Sequence, residues 1–450
     1  MKNVCCAWGL PPNEHWPKSH AKVENFRLIL DQTLCCGYSS FQTGRNDPDP
    51  EAEKFGPMTY PERFSNLPEY AFPRLRTLLD AHAPGGDVIH MTIGEPKHAF
   101  PDWITDIIVE NAEGFANYPP NEGAPELRMA ISDWIKRRYG ASMDPETQIM
   151  ALNGTREGLY NAVMALCPEK VRGQTPIVLT PNPFYQVYAV AALSIGAEPY
   201  FVAATPENGF LPNYDELPPE VLNRVAAAYI CSPSNPQGSV ATAEYWRRLI
   251  TLAEKYDFVI FADECYSEIY RHAPPVGAIE VAQEMGADPE RLVIFHSLSK
   301  RSNMPGLRSG FVATGPENMR RMRQLRSYAG SPLPLPLQRV AQKVWADEEH
   351  VIENRALYAE KFEIADEILA DVPGYTSPEA GFFLWLPIND GEEATLKLWT
   401  QTGVRVLPGA YLARDVDGLN PGKGFIRVAL VAPKEEMQRG LITLRDCLYR

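Results

Sequence analysis

Residues 297–310 read Ser297-Leu298-Ser299-Lys300-Arg301-Ser302-Asn303-Met304-Pro305-Gly306-Leu307-Arg308-Ser309-Gly310. Apolar runs lie on both sides of this stretch, at residues 292–295 and 311–314. Short apolar runs bounded by turn residues are typical of buried strands. The sequence therefore predicts a polar loop, carrying a lysine, between two strands of a sheet.

Further strands are predicted on the N-terminal side of this loop, at residues 177–180, 200–203, 225–231 and 258–262. Helical stretches such as residues 241–256 separate them. Apolar strands that alternate with helices indicate a mostly parallel sheet covered on both faces. Strands at residues 382–386, 404–407 and 425–430, with a helix at 434–448, suggest a smaller α+β unit.

Four segments follow from this pattern. We expect residues 1–57 to be a dispensable, poorly ordered extension, because they lack periodicity and end in linker-like composition. Residues 58–100 would join the small domain, and residues 101–335 would form the large cofactor-binding domain. Residues 336–450 would hold a long linking helix, predicted over residues 335–369, and the small C-terminal domain.

Composition narrows the possible partners of the 450-residue chain. The formal charge is −14, from 43 basic and 57 acidic residues, which disfavours binding to nucleic acid or to an anionic membrane. No apolar run is long enough to cross a membrane, and we predict no signal peptide. The eight cysteines show no zinc-like spacing. We therefore expect a cytoplasmic protein that acts on small molecules and holds no metal.

Polar residues follow several of the predicted strands. They include Ser232-Pro233-Ser234-Asn235, Asp263-Glu264-Cys265-Tyr266 and Ser297-Leu298-Ser299-Lys300. Ligands of parallel α/β sheets bind at the carboxyl ends of the strands, so we expect these residues to converge on one site.

This set of residues has the chemistry that pyridoxal 5'-phosphate (PLP) requires. Lys300 can form a Schiff base with its aldehyde, and Asp263 can keep its ring nitrogen protonated as an electron sink. Asn235 and Tyr266 can donate to the ring oxygen. Tyr185 can stack on the ring.

A phosphate site is predicted where Asn153-Gly154-Thr155-Arg156 opens an apolar helix. Free N–H groups and the helix dipole favour an anion there, which assigns Thr155 and Arg156 to the phosphate. Ser297 and Ser299 would add donors, and Arg308 would add a charged, forked contact.

At this point a family resemblance is clear. The stretch 297–310 resembles the lysine signature of fold-type I, PLP-dependent class I/II aminotransferases, and the likeness runs from about residue 64 to the C-terminus. Bacterial N-succinyldiaminopimelate aminotransferases are the most similar in three motifs: Leu67-Pro68-Glu69-Tyr70, Ile93-Gly94-Glu95-Pro96-Lys97-His98 and Asn153-Gly154-Thr155-Arg156-Glu157.

The resemblance implies an aspartate aminotransferase-like fold and ping-pong amino transfer, with Lys300 moving the α-proton and glutamate as a donor. It also implies that Arg427 binds the substrate α-carboxylate and that Gly94 lies beside it. Tyr118 would reach the phosphate in a partner subunit, which implies a homodimer. The proline-rich loop at residues 330–336 departs from the family pattern, so the neighbouring substrate wall is not predicted.

Two other functions remain to be weighed. A PLP-dependent β-elimination lyase would use the same lysine, aspartate and arginine, so the motifs do not separate it from a transaminase. A non-catalytic regulator with a DNA-binding domain is disfavoured, because residues 1–57 are too irregular for a helix-turn-helix.

Overall fold

Strands and helices alternate along most of the chain. The computed structural model describes residues 60–65, 67 and 69–450, so the expected extension over residues 1–57 lies outside the described residues. In chain order the strands are β1 (Ile89–His90), β2 (Ile149–Leu152), β3 (Ile177–Asn182), β4 (Glu198–Ala203), β5 (Val225–Cys231), β6 (Val259–Asp263), β7 (Leu292–Ser297), β8 (Gly310–Thr314), β9 (Phe383–Pro387), β10 (Val404–Arg405), β11 (Leu407–Pro408) and β12 (Phe425–Ala429). The α-helices are α1 (Ala71–Leu79), α2 (Ile104–Glu110), α3 (Pro125–Tyr139), α4 (Thr155–Leu166), α5 (Val187–Ser194), α6 (Pro219–Leu222), α7 (Ala243–Tyr256), α8 (Ala278–Met285), α9 (Leu298–Arg301), α10 (Pro316–Arg326), α11 (Leu335–Ala346), α12 (Glu349–Leu369), α13 (Gly391–Thr402) and α14 (Lys434–Leu448).

A seven-stranded sheet has the order β2-β8-β7-β6-β5-β3-β4. From β4 to β7 neighbouring strands are parallel, whereas β8 is antiparallel to both β7 and β2. Every residue of β5 is buried, as expected for an unbroken apolar run in a sheet covered on both faces. The predicted α/β fold with a mostly parallel sheet is confirmed.

Helices cover both faces of this sheet. On one face α3, α7, α8 and α11 share a core with the strands, and on the other face α4, α5 and α10 do so. Helix α7 shows how the sequence sets this packing. Its apolar residues Trp246, Leu249, Ile250 and Ala253 are buried, on the stripe that helical spacing predicts. Thr242 begins the helix by accepting a hydrogen bond from the Tyr245 N–H at 3.1 Å.

A second, smaller part contains a three-stranded antiparallel sheet in the order β11-β12-β9 and the parallel pair β1-β10. Helices α12, α13 and α14 pack with these strands in one core, and α1 packs against residues of β9, β11 and α13. Segments from both ends of the described chain therefore meet in this part.

The single helix expected over residues 335–369 is instead two helices, α11 and α12. Asp347 has an extended backbone, with φ −92° and ψ 132°, and its carboxylate accepts a hydrogen bond from the His350 N–H at 3.3 Å. The buried Arg301 guanidinium donates to the carbonyls of Val344 at 2.8 Å and Asp347 at 3.0 Å. These contacts satisfy the end of α11 and let a new helix start, which corrects the prediction.

The domain division at residues 58–100, 101–335 and 336–450 remains a proposal. Helix α11 packs against the large sheet, although this division assigns most of it to the C-terminal segment. Within the described ranges, no helix has both the length and the apolar character that a membrane crossing requires.

Candidate active site

The residues predicted from the strand ends gather around one cavity. Its volume is about 290 Å³, near the lower end of the roughly 300–1,000 Å³ of small-molecule sites. The lining includes Gly94, Thr155, Arg156, Tyr185, Asn235, Asp263, Tyr266, Ser297, Ser299, Lys300, Arg308 and Arg427. The other predicted residue, Tyr118, is fully exposed and lies outside this lining. Its contact with a partner subunit stays a prediction.

Asp263 is the last residue of β6 and is only 6% exposed. The Tyr188 hydroxyl donates to its Oδ2 at 2.7 Å, and the Cys265 N–H donates to its Oδ1 at 3.3 Å. Both partners are uncharged, and burial raises the pKa of Asp263. A cation in the cavity would lower this pKa again and hold the carboxylate ionised.

Lys300 lies on the short helix α9, directly after β7. Its Nζ donates to the Gly94 carbonyl and lies 5.3 Å from the ring centroid of Phe382. Burial lowers the pKa of Lys300 to about 8. The neutral fraction of this amine near neutral pH is therefore far larger than that of an ordinary lysine, and the neutral form is the one that a nucleophile or a proton acceptor requires.

Arg427 lies on β12 of the smaller part and is 4% exposed. Its Nη1 donates to Asn235 Oδ1 at 3.0 Å, and its Nη2 donates to the Thr92 carbonyl at 2.8 Å. The guanidinium lies 4.2 Å from the ring centroid of Phe383. Burial lowers the pKa of Arg427 to about 10, so the group remains a cation at neutral pH and can bind a carboxylate.

The anion site predicted at the start of α4 is formed by backbone and side chains together. Gly154 precedes α4 with φ 84°, a backbone conformation that residues other than glycine rarely adopt. A Cβ at this position would collide with the Arg308 guanidinium. Arg308 donates to the Pro305 carbonyl at 2.8 Å. Ser297 caps α9 by accepting from the Ser299 N–H at 3.1 Å. The helix N-terminus and Arg308 therefore lie side by side, as a phosphate requires.

Arg156 behaves differently from Thr155 beside it. The Thr155 hydroxyl accepts a hydrogen bond from Cys265 Sγ at 3.3 Å. The exposed Arg156 side chain instead donates from Nε to the Tyr185 hydroxyl at 2.8 Å. Tyr185 raises the pKa of Arg156, with a smaller contribution from Tyr70. Arg156, Tyr185 and Tyr70 together form what we call the mouth cluster.

The arrangement fits PLP. Asp263 is a buried carboxylate with uncharged partners, and a protonated ring nitrogen would supply its missing countercharge. Tyr266 lies in the same lining and packs edge-on against Phe382 at 5.4 Å. Because Gly154 has no side chain, the Arg308 guanidinium can lie at the helix N-terminus. An amine, a carboxylate and an anion site are thus present in one cavity.

The lining also includes residues that were not predicted as site residues, among them Tyr70, Tyr188 and Cys265. The signal for Tyr188 was its position one helical turn after Tyr185, where aromatic packing is the more common interpretation. Two cations considered for a second substrate carboxylate lie elsewhere. Lys97 is exposed and outside this lining, and Arg301 is turned into the core against Trp345.

Comparison with known proteins agrees with the fold and with this chemistry. The model of the family "Aminotransferase class I and II" matches residues 86–444. An LL-diaminopimelate aminotransferase of Dehalococcoides mccartyi is 31% identical over 403 residues, which cover 86% of this chain and 99% of that protein. A protein of the same name from Desulforudis audaxviator is 32% identical over 404 residues, covering 86% and 98%.

Solved structures give the same result. An aminotransferase from Neisseria meningitidis superposes with a TM-score of 0.82 at 38% identity, covering 86% of this chain and 100% of the other. Aminotransferase AspB from Helicobacter pylori has a TM-score of 0.78 at 31% identity, covering 86% and 99%. The predicted resemblance is confirmed for the family. The named relatives, however, are called LL-diaminopimelate aminotransferases rather than N-succinyldiaminopimelate aminotransferases.

Proposed function

The chain belongs to the class I and II aminotransferase family, and on that premise we propose that it moves an amino group between glutamate and a longer dicarboxylic substrate of the diaminopimelate type. It is a PLP-dependent transaminase. The finer assignment, to a substrate with two carboxylates, draws support from the names of its relatives.

The charge of the cavity is the observation that carries this proposal. Among the described residues, the cations Arg156, Lys300, Arg308 and Arg427 line it, and Asp263 is the one acid. With the phosphate beside Arg308 and one substrate carboxylate on Arg427, the Arg156 guanidinium has no assigned anion. A second substrate carboxylate would give it one.

Each site residue has a separate role in the proposed reaction. PLP, when bound, supplies the electron sink that stabilises negative charge at the substrate α-carbon. Arg427 would bind the α-carboxylate, and Asp263 would keep the ring nitrogen protonated. Lys300, as a neutral amine, takes the α-proton and returns it at the neighbouring carbon. Water would release the donor as its 2-oxo acid while the amino group stays with the cofactor. A second 2-oxo acid would take that amino group in the reverse sequence and release the water.

Steady-state kinetics of the holoenzyme test the proposal. We expect kcat/KM for glutamate, LL-diaminopimelate and its N-succinylated form to exceed that for alanine and phenylalanine. The free and the succinylated compounds are separate arms, because the relatives' name favours the first and the sequence motifs favour the second. A tenfold preference for an aromatic or small apolar donor, about 1.4 kcal/mol in transition-state binding, would overturn the proposal.

A lyase is the second function that the motifs allow. The relatives named above are all called aminotransferases, so the comparisons favour transfer over elimination. The same assays separate the two activities, because a lyase would release ammonia from a single substrate without any acceptor.

A further inference from the structure

The turn between β3 and α5 is short, covering residues 183–186. It carries Tyr185, whose ring is predicted to stack on the cofactor. Phe184, Tyr185 and Gln186 all line the active-site cavity. The hydrogen bond from Arg156 reaches the Tyr185 hydroxyl, at the far end of the side chain from the backbone. The place of the ring in the cavity therefore depends on what holds the backbone of this turn.

The residue just before the turn is a buried asparagine. Asn182 ends β3 and is 1% exposed, although asparagine is uncommon in strands. Its Nδ2 donates to the Arg414 carbonyl at 2.9 Å, and the Arg414 N–H donates to its Oδ1 at 3.0 Å. A buried amide is costly unless it is hydrogen-bonded. This two-point contact with the backbone of Arg414 therefore gives the Asn182 amide a specific task, which an apolar residue of similar size could not perform.

Two further contacts join the same parts of the chain. The Phe184 N–H donates to the Leu412 carbonyl at 2.9 Å, and Gln186 Nε2 donates to the Tyr411 carbonyl at 3.2 Å. Together with the Asn182 contact, they connect every second residue from 182 to 186 with residues 411–414. The position between them, 185, is therefore held from both sides along the chain.

Residues 411–414 provide a fixed anchor for the turn. They follow β11, which pairs with β12 so that Leu407 lies opposite Arg427. Tyr411 is 5% exposed, and the Arg74 guanidinium from α1 lies 3.9 Å from its ring centroid. Tyr411 and Leu412 belong to the core that α1 and α13 share with β11. The turn is therefore tied to the same sheet that carries Arg427.

We propose that Asn182 is a positioning residue, which sets the place of the Tyr185 ring against the cofactor by tying the start of the turn to Arg414. The inference rests on the proposed function, in which Tyr185 stacks on PLP. It adds a residue that lies outside the cavity lining and acts through one inside it. A purely structural role for Asn182 would change the stability of the protein without a selective effect on the bound cofactor.

The test uses two measurements that do not depend on turnover. One is the visible circular dichroism of bound PLP, and the other is the affinity for pyridoxamine 5'-phosphate, which forms no bond with Lys300. Tyr185→Leu should reduce the first and weaken the second by roughly two- to tenfold, as expected for a lost aromatic contact. Asn182→Leu should cause most of the same loss. Asn182→Asp, which keeps an acceptor for the Arg414 N–H, should cause less.

The double variant decides between a positioning role and a structural one. In the Tyr185→Leu protein, Asn182→Leu should add little further loss, because the two residues act through one contact. Losses of equal size in both backgrounds would overturn the inference, and so would unchanged measurements in Asn182→Leu. Should Asn182→Leu fail to fold, Asn182→Asp carries the same comparison. If Tyr185→Leu alone changes neither measurement, the stacking role of Tyr185 in the proposed function fails instead.

A matched control is Asn318→Leu. Asn318 is a buried asparagine on α10, outside the cavity lining, and its Nδ2 donates to the Glu290 carbonyl at 2.7 Å and to the Thr314 hydroxyl at 3.3 Å. We expect Asn318→Leu to lower the Tm of the cofactor-free protein, as Asn182→Leu does, but to leave the dichroism and the affinity unchanged. Losses in this control as large as those in Asn182→Leu would also overturn the inference.

Discussion

The floor of the cavity and its mouth differ in their exposure to solvent. The floor, defined by Asp263, Lys300 and Arg427, places three ionisable groups where water is scarce, with Asp263 at 6% and Arg427 at 4% exposure. The mouth cluster places Arg156 in contact with solvent. Burial shifts the pKa of each floor residue, whereas the Arg156 pKa is raised above an already high value.

This difference in burial predicts that the floor residues carry out the reaction and that the mouth cluster selects among substrates. A buried charge is costly unless it is paired, so each floor residue is tied to named partners and tolerates little change. An exposed arginine pays a small desolvation cost, and its contacts are worth correspondingly less. Substitutions at the floor should therefore affect all substrates, and substitutions at the mouth should affect their relative rates.

The largest expected effect is at Lys300. Lys300→Ala removes the proton carrier, and loss of general acid–base catalysis alone costs roughly 10²–10⁴-fold. Turnover with every donor should fall by at least this factor, while PLP stays bound through the phosphate contacts. Half-reaction rates and the cofactor content after gel filtration measure the two quantities. Near-normal turnover in this variant would show that Lys300 does not carry the proton.

Arg427 comes next in size. Arg427→Ala leaves the Asn235 and Thr92 oxygens without their donor, and truncating a buried, hydrogen-bonded charge costs roughly 2–5 kcal/mol. We expect kcat/KM for amino acids to fall by about 10²-fold or more. Amines that lack the α-carboxylate should lose much less. If both classes lose equally, Arg427 supports the fold rather than the substrate.

A smaller effect is expected from Tyr188→Phe, which removes the 2.7 Å hydrogen bond to Asp263. Hydrogen bonds to charged groups contribute roughly 1.5–3 kcal/mol, so turnover should fall about tenfold for diacids and monocarboxylates alike. Tyr229→Phe is the matched control, since Tyr229 stacks on Tyr188 at 4.3 Å but its hydroxyl donates to the Leu159 carbonyl. A Tyr188→Phe effect confined to one substrate class would contradict the prediction that changes at the floor affect all substrates alike.

The smallest effect is a shift on the pH axis. Because burial lowers the pKa of Lys300 to about 8, the amine is mostly neutral above that pH and mostly protonated below it. The rate at which cofactor-free protein bonds to PLP should rise with pH and level off above about 8. Arg427 contributes to the lowered pKa, so Arg427→Met should move the midpoint upward. A midpoint near the ordinary pKa of lysine would show that Lys300 is more hydrated than its burial suggests.

The fold was largely predictable because its strands are strongly patterned. The predicted strand at residues 225–231 matches β5, and the helix at residues 434–448 matches α14. Strand β2 was missed, since Ile149–Leu152 offers only four residues and no alternation. The break between α11 and α12 was also missed, because its cause is the distant Arg301, whose contacts sequence spacing does not reveal.

The candidate site was predictable wherever a residue follows a strand. The carboxyl ends of β5, β6 and β7 bring Asn235, Asp263 and Lys300 into one lining, as the parallel arrangement requires. Side-chain direction was not predictable. Arg301 has the right charge next to Lys300 yet packs into the core, and the contact between Arg156 and Tyr185 depends on the approach of α4 to α5. Tyr118 would act only in an assembly, so it remains a prediction.

The antiparallel strand β8 decides which site residues share one segment of chain. Ser297 at the end of β7 pairs with Gly310 at the start of β8, so the chain leaves and re-enters the sheet at the same end of these two strands. Lys300 and Arg308 are thus carried on one short connection, and a shift of this connection would move both residues. Tyr70, Arg156 and Tyr185 come from three separate segments. Each residue of the mouth cluster can therefore be displaced without moving the connection that carries Lys300 and Arg308.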